Sequence, residues 1–305
     1  MPSWGEILEK IKHTDSQNPL DLIRRQYLMT MHKYTNRNII AYYSGFLSKP
    51  KSDTSINDSD KNAFMQTVHG LDTSKGLDLI LHTPGGNLAA TESIVRYLQT
   101  IFNGNIRAFI PQIAMSAGTM IALSCKEIIM GKQSNIGPID PQFNGLSCVG
   151  IIEEFTQAIK EIKKYPERIP IWQVIISKYH PTFIGDCKKA VEWSEKIVTE
   201  WLCSNMLKNN ANPKEDAKRI VKALGSHKKT FSHSRHIHIA ECQTIGINVT
   251  SLEGLDDRQI DDCRDLQDCV LSIHHTYMHT LSISSAVKIV ENHIGNAMIT
   301  SLSKQ

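Results

Sequence analysis

Two short stretches hold the residue types best suited to chemistry. In "RAFIPQIAMSAGTMIALSC" (107–125) a strand-like apolar run ends at Pro111, and Ser116 opens a run of small and apolar residues. A hydroxyl where a strand hands over to a helix is by type a helix cap. It also stands where the helix dipole and unbonded amides favour a developing oxyanion. The second stretch is "HTPGGN" (82–87), whose Gly85 and Gly86 let the backbone approach a ligand closely, since neither carries a Cβ. A serine beside glycine amides is what acyl transfer needs: a nucleophile, with donors aimed where negative charge appears.

The elements that must position these residues follow from the apolar pattern. "LDLILHT" (77–83), "NIRAFI" (105–110) and "EIIMG" (127–131) read as buried strands, separated by helices over 88–102 and after Ser116. Alternation of strand and helix with short loops predicts parallel βαβ units and an α/β fold. Ligands bind such sheets beyond the carboxyl ends of the strands, so both stretches meet at one edge. Upstream, helices are predicted over 4–12 and 19–33, the second opened by Pro19, then a strand over 38–47, a polar loop over 48–60 and a helix over 60–70. Downstream the pattern is mainly helical: 150–164, 170–178, 184–209 and 213–224, with a last strand near 245–249. Leu266, Val270, Ile273 and Tyr277 mark one more amphipathic helix, followed by a tail. The expected division is an N-terminal helical segment (1–33), the α/β domain (34–250) and a helical C-terminal extension (251–305) that packs on a neighbouring subunit.

Several chemistries are disfavoured. Residue 114 is alanine, so the G-x-S-x-G nucleophile elbow is absent, as are the P-loop and G-x-G-x-x-G phosphate signatures. Thirty-four basic residues against 31 acidic ones give no pull toward nucleic acid or an anionic membrane, and neither is expected as a partner. No apolar run approaches the roughly 18 residues of a membrane span. The seven cysteines are scattered, without C-x-x-C, which fits reduced thiols and a cytoplasmic location. His275 and His279 share a helix face near Cys263, Cys269 and His274, but there is no H-E-x-x-H and the cysteine spacing is not that of a zinc pair. A packed helix or subunit contact is expected there rather than a metal.

"LILHTPGG", "AMSAGTMIAL", "IIMG" and "NIGPIDPQ" together resemble the ClpP/crotonase superfamily. The closest branch is the serine dehydrogenase proteinase family, related to signal peptide peptidase A. "YTNRNIIAYYSGFL", "KYHPTFIGDC" and "VKIVENH" extend the resemblance over most of the chain. It implies a serine peptidase on a fold of stacked βαβ units, assembled into homo-oligomers, acting on a peptide or protein and requiring no metal or organic cofactor. It makes Ser116 the nucleophile, with Gly86 and Ala117 as oxyanion amides and Gly85 and Gly118 shaping the substrate-binding turns.

The base is not given by the same motif. Clp proteases place a histidine about 25 residues after the serine, but residues 135–145 here contain none, and Thr230 stands near the place of the Clp aspartate. Signal peptide peptidase A relatives use a Ser–Lys dyad instead, and burial can lower a lysine's pKa enough for it to serve as base. Lys196, in the helix "AVEWSEKIVTEWL", is the first choice because it shares an apolar face with Trp193 and Ile197. Lys160, Lys178 and His180 are the alternatives, ahead of the charged-stretch Lys163 and Lys164; His82 is expected to be structural. Two rival readings stand beside the peptidase. One is a crotonase-type acyl-CoA hydratase or thioesterase, the other a non-catalytic scaffold in which Ser116 only caps its helix.

Overall fold

A computed structural model describes residues 3–143, 145–226, 230 and 232–302. Among these residues, seven strands form one sheet in the order β11-β10-β1-β2-β3-β5-β9. The parallel part consists of β1 (Asn38–Ser44), β2 (Leu77–His82), β3 (Ile106–Ile110), β5 (Glu127–Met130) and β9 (Val249–Ser251). Its strands read as nearly unbroken apolar runs because both faces are covered. Alternate residues separate into two cores. Ile40, Tyr42, Leu79, Leu81, Ala108 and Ile128 enter one, while Ile39, Tyr43, Ile80, Phe109 and Ile129 enter the other.

The first core lies under α3 (Asp58–Val68), α4 (Leu88–Ile101), α5 (Ala117–Ser124), α8 (Phe183–Ser204), α9 (Pro213–Gly225) and α10 (Ile239–Ile245). The second lies under α1 (Trp4–Lys12), α2 (Pro19–Thr35) and α11 (Leu266–Ile283). α1 opens on a full capping box, in which Ser3 and Glu6 satisfy each other's backbone amides.

In the C-terminal segment Leu266, Val270, Ile273 and Tyr277 of α11 are buried within this chain in the core that α2 shares. The expected tail is instead a hairpin, β10 (Ala286–Asn292) and β11 (Ala297–Ser301), with β10 antiparallel to β1. Every residue of β10 is buried, so it joins the sheet as an inner strand.

Two smaller strand pairings lie beside this sheet. Short strands β4 (Ile113–Ala114) and β6 (Asn135–Ile136) pair in parallel. A hairpin of β7 (Gln142–Phe143) and β8 (Leu146–Ser147) then leads into α6 (Cys148–Lys164). α7 (Ile169–Ile176) is apolar yet has no buried residue, with Ile171 61% and Val174 62% exposed. Among the described residues no helix is long and apolar enough to cross a membrane.

Candidate active site

Pro111 interrupts β3, and the chain resumes as β4, which pairs with the end of β2. Thr83 N–H donates to the Ile113 carbonyl at 3.2 Å, and Met115 N–H to the Thr83 carbonyl at 3.0 Å. This pairing carries Pro84–Gly86 alongside Met115–Ala117, so the two stretches do meet at one sheet edge.

Ser116 sits at the junction with φ 51° and ψ −118°. A left-handed φ is uncommon for a side chain with a Cβ, and strain of about 1–3 kcal/mol per residue persists only where the surroundings enforce it. Ser116 occupies the N-cap position of α5 but makes no side-chain cap bond. A capping residue normally has extended backbone, which aims its oxygen at the helix amides; the turned backbone of Ser116 does not. The hydroxyl expected to cap its helix is therefore free of that duty. A strained serine on a strand-to-helix turn is also what the nucleophile elbow builds, here without its first glycine.

Gly85 is the partner that makes this turn fit. Its φ is +99°, and a Cβ there would stand 2.7 Å from Ser116 Cβ and 2.9 Å from the Ala117 nitrogen. Only a bare Cα permits the approach. Gly86 is pressed as closely on its other side, since a Cβ there would meet the Ile56 nitrogen at 2.3 Å. Ile56 N–H donates to the Gly85 carbonyl and Asn87 N–H to the Ile56 carbonyl, both at 2.8 Å. In a parallel bridge of this kind the groups of residues 85 and 87 face Ile56, so the Gly86 amide faces the opposite side. Neither it nor the Ala117 amide, at the first position of α5, donates to the protein backbone among the described residues. The Gly118 amide is committed: it donates to the Met115 carbonyl at 2.8 Å, and its Cα lies against Thr83. Of the four backbone positions expected to bind the oxyanion or shape its turn, Gly86 and Ala117 keep open amides, Gly85 permits the turn, and Gly118 serves packing.

Ser116, Gly85, Gly86 and Ala117 line a cavity of about 720 Å³. Met120 and Ile139 give it a buried apolar floor, and α8 forms a wall through Asp186, Lys189, Ala190 and Trp193. These wall residues recur at the three-to-four spacing of one helix face. Lys196 lies three residues beyond Trp193, one turn past the last cavity-lining residue of that stripe. It is exposed on α8 and outside the cavity lining, whereas Trp193, expected beside it, faces the cavity. Lys160 and Lys178 are exposed on or beside α6 and α7, and His180 is exposed with its Nδ1 3.2 Å from Thr182 Oγ1. None of these alternatives lines the cavity.

Of the described titratable side chains lining the cavity, Lys189 and Asp186 pair loosely with each other at 3.8 Å, whereas His233 is held by a short hydrogen bond. Its Nδ1 is 2.8 Å from Asp140 Oδ1, and Asp140 is 2% exposed. Ser147 Oγ donates to the other carboxylate oxygen at 2.8 Å while accepting the Gly150 N–H at the start of α6. A carboxylate only accepts, so Nδ1 carries a proton, and Nε2 is the ring nitrogen the carboxylate does not engage. Sequence reasoning passes over both residues, although residues 135–145 and the neighbourhood of Thr230 are where it finds no histidine and no aspartate. The signal was an exchange: an acid stands where Clp enzymes carry the histidine, and a histidine near the place of the acid.

His82, at the end of β2, is buried with both ring nitrogens unpaired among the described residues, and burial pushes its pKa down to about 3. It packs against Tyr43, Phe46 and His274, as a structural residue does. His275 and His279 meet Trp4 of α1, whose carbonyl lies 3.0 Å from His279 Nε2.

Residues 43–254 match the family model described as ClpP-like SDH-type serine proteinase. Two uncharacterized proteins of Methanocaldococcus jannaschii are similar to this chain. One is 29% identical over 192 residues, covering 63% of this chain and 58% of that protein. The other is 29% identical over 190 residues, covering 62% and 59%. The chain thus matches less than two thirds of the length of either relative.

Proposed function

The chain belongs to the ClpP-like SDH-type serine proteinase family, and from that premise we propose that it hydrolyses peptide bonds with Ser116 as nucleophile, His233 as base and Asp140 as the group that orients the histidine. The observation carrying this reading is the cavity that Ser116, strained and uncapped, shares with a histidine whose Nδ1 is held by a buried carboxylate.

Ser116 Oγ attacks the substrate carbonyl carbon and its proton passes to His233 Nε2. The carbonyl oxygen, now anionic, accepts from the Gly86 and Ala117 amides, and the α5 dipole adds to their effect. The imidazolium, steadied by Asp140, returns the proton to the leaving amine as the C–N bond breaks. Water then attacks the acyl-enzyme with the same histidine as base. The buried Met120 and Ile139 floor suits an apolar part of a peptide chain. A Ser–Lys dyad through Lys196 has less support, because that side chain is exposed and outside the cavity.

The enzyme is read as a cytoplasmic homo-oligomer. The seven cysteines, all free, suit a reducing compartment, and the exposed apolar α7 suits a face covered by another subunit.

A fluorophosphonate probe tests the chemistry. The protein is expected to be labelled at Ser116, and labelling should vanish in Ser116→Ala and His233→Ala while surviving in Lys196→Ala. Loss in Lys196→Ala with retention in His233→Ala would restore the dyad and remove the histidine from the mechanism.

A further inference from the structure

The Gly85–Gly86 loop is bridged to the segment Ser55–Asn57 through Ile56. That segment is itself part of a loop, and a loop holds donors in place only as well as it is held. Its fastening is a buried ion pair. Lys288, on β10 opposite Ser44 of β1, is 2% exposed, and its Nζ lies 2.9 Å and 3.0 Å from the two carboxylate oxygens of Asp60. The same ammonium donates to the Ser55 carbonyl at 3.1 Å. Asp60 meanwhile accepts the Asn57 N–H at 2.8 Å and the Tyr42 hydroxyl at 3.2 Å. Lysine and aspartate therefore grip the residues on both sides of Ile56.

A buried ion pair is a poor device for stability, since apolar side chains of similar volume usually serve as well or better. It is a good device for fixing a backbone, because it demands particular partners at particular places. We propose that Lys288 and Asp60 are positioning residues for the oxyanion loop: through Ser55 and Asn57 they fix Ile56, and Ile56 fixes the Gly86 amide against Ser116. This rests on the peptidase reading for its chemistry and not for its geometry. Lys288 lies beyond residues 43–254, the part matched by the family model. The C-terminal hairpin thus supports the catalytic centre from outside the matched segment.

The test compares Lys288→Met with the double variant Lys288→Met/Asp60→Leu, in which the pair becomes apolar and no buried charge is left unpaired. For folded protein we expect kcat and the rate of fluorophosphonate labelling to fall about 10- to 100-fold in both, a fraction of the ~10²–10³ attached to losing an oxyanion donor outright. KM should stay within about twofold. Amide hydrogen exchange over 54–57 and 85–87 should rise in both variants, with α5 unchanged. The double variant should recover thermal stability without recovering kcat. Recovery of labelling together with stability, or kcat within twofold of the parent in either variant, would reduce the pair to a structural contact. If the parent protein itself is not labelled at Ser116, the peptidase reading falls, and exchange at 85–87 still decides whether the pair holds the loop.

Discussion

His233 Nδ1 stands 2.8 Å from Asp140 Oδ1, joining residues 93 positions apart at the wall of the cavity that holds Ser116. Asp140 is fixed in turn by Ser147, whose hydroxyl also caps α6. His233→Ala and Asp140→Asn are expected to lower kcat by on the order of 10³–10⁴ and 10²–10⁴ respectively, as for an imidazole deprived of its role or its orientation. Lys196→Ala should leave kcat/KM within about twofold. Steady-state hydrolysis of a fluorogenic peptide measures all three, and equal losses in Lys196→Ala would count against the histidine.

The contact of Gly85 with Ser116 predicts that Gly85→Ala is damaging out of proportion to its size. The new methyl meets Ser116 Cβ at 2.7 Å from a backbone with φ +99°. Labelling of Ser116 should drop about 100-fold or more, with a stability loss of about 1–3 kcal/mol. Gly254→Ala is the control. Its φ is also left-handed, at +69°, but a Cβ there meets nothing within 4 Å. It should cost stability alone, with labelling unchanged.

His82 and His274 predict the acid limb of stability. Burial holds His82 down at about 3 and His274 well below its usual value, with the neighbouring imidazoles adding to the effect at His274. The unfolded chain binds protons at these sites near pH 6.5, where the folded protein does not. Between that pH and about 3 the unfolded state therefore carries more protons, and stability rises with pH. Acidification through this window should cost roughly 1.4 kcal/mol per pH unit for His82, and His274 adds a loss of the same sign. Urea melts of the parent and of His82→Phe at pH 7 and pH 5 check this. The variant should show the shallower loss, and identical slopes would mean that His82 takes up its proton alike in the folded and unfolded states.

The thiols give a simpler expectation. Six of the seven cysteines are buried, and only Cys203 is partly exposed. Burial raises the Cys125, Cys148 and Cys242 thiols to about 12, far from the thiolate that reacts. Iodoacetamide under native conditions should modify Cys203 first and leave the other six until the protein is unfolded, as mass spectrometry of the digest would report. Rapid modification of Cys125 would contradict the burial.

The sequence by itself determined the parallel strands, the helices between them and the serine-glycine edge. Those depend on local pattern: apolar runs of strand length, turn residues, and glycines where side chains have no room. It marked Ser116, Gly85 and Gly86 for the same reason, since a strand-to-helix turn and a Pro-Gly-Gly turn are legible within a few residues. It does not reach a property that depends on what lies opposite. Lys196 and Trp193 look alike as neighbours of an apolar helix face, and only the direction of α8 against the sheet separates the exposed lysine from the cavity wall. His233 and Asp140 are ordinary loop residues in the sequence, and they become a pair only when chain segments 93 residues apart converge. The C-terminal hairpin is the same lesson. Nothing local tells β10 that its place is beside β1, with Lys288 reaching the Ser55 carbonyl next to Ile56. Tertiary structure decided that, because burying a lysine requires an aspartate and a carbonyl already waiting for it.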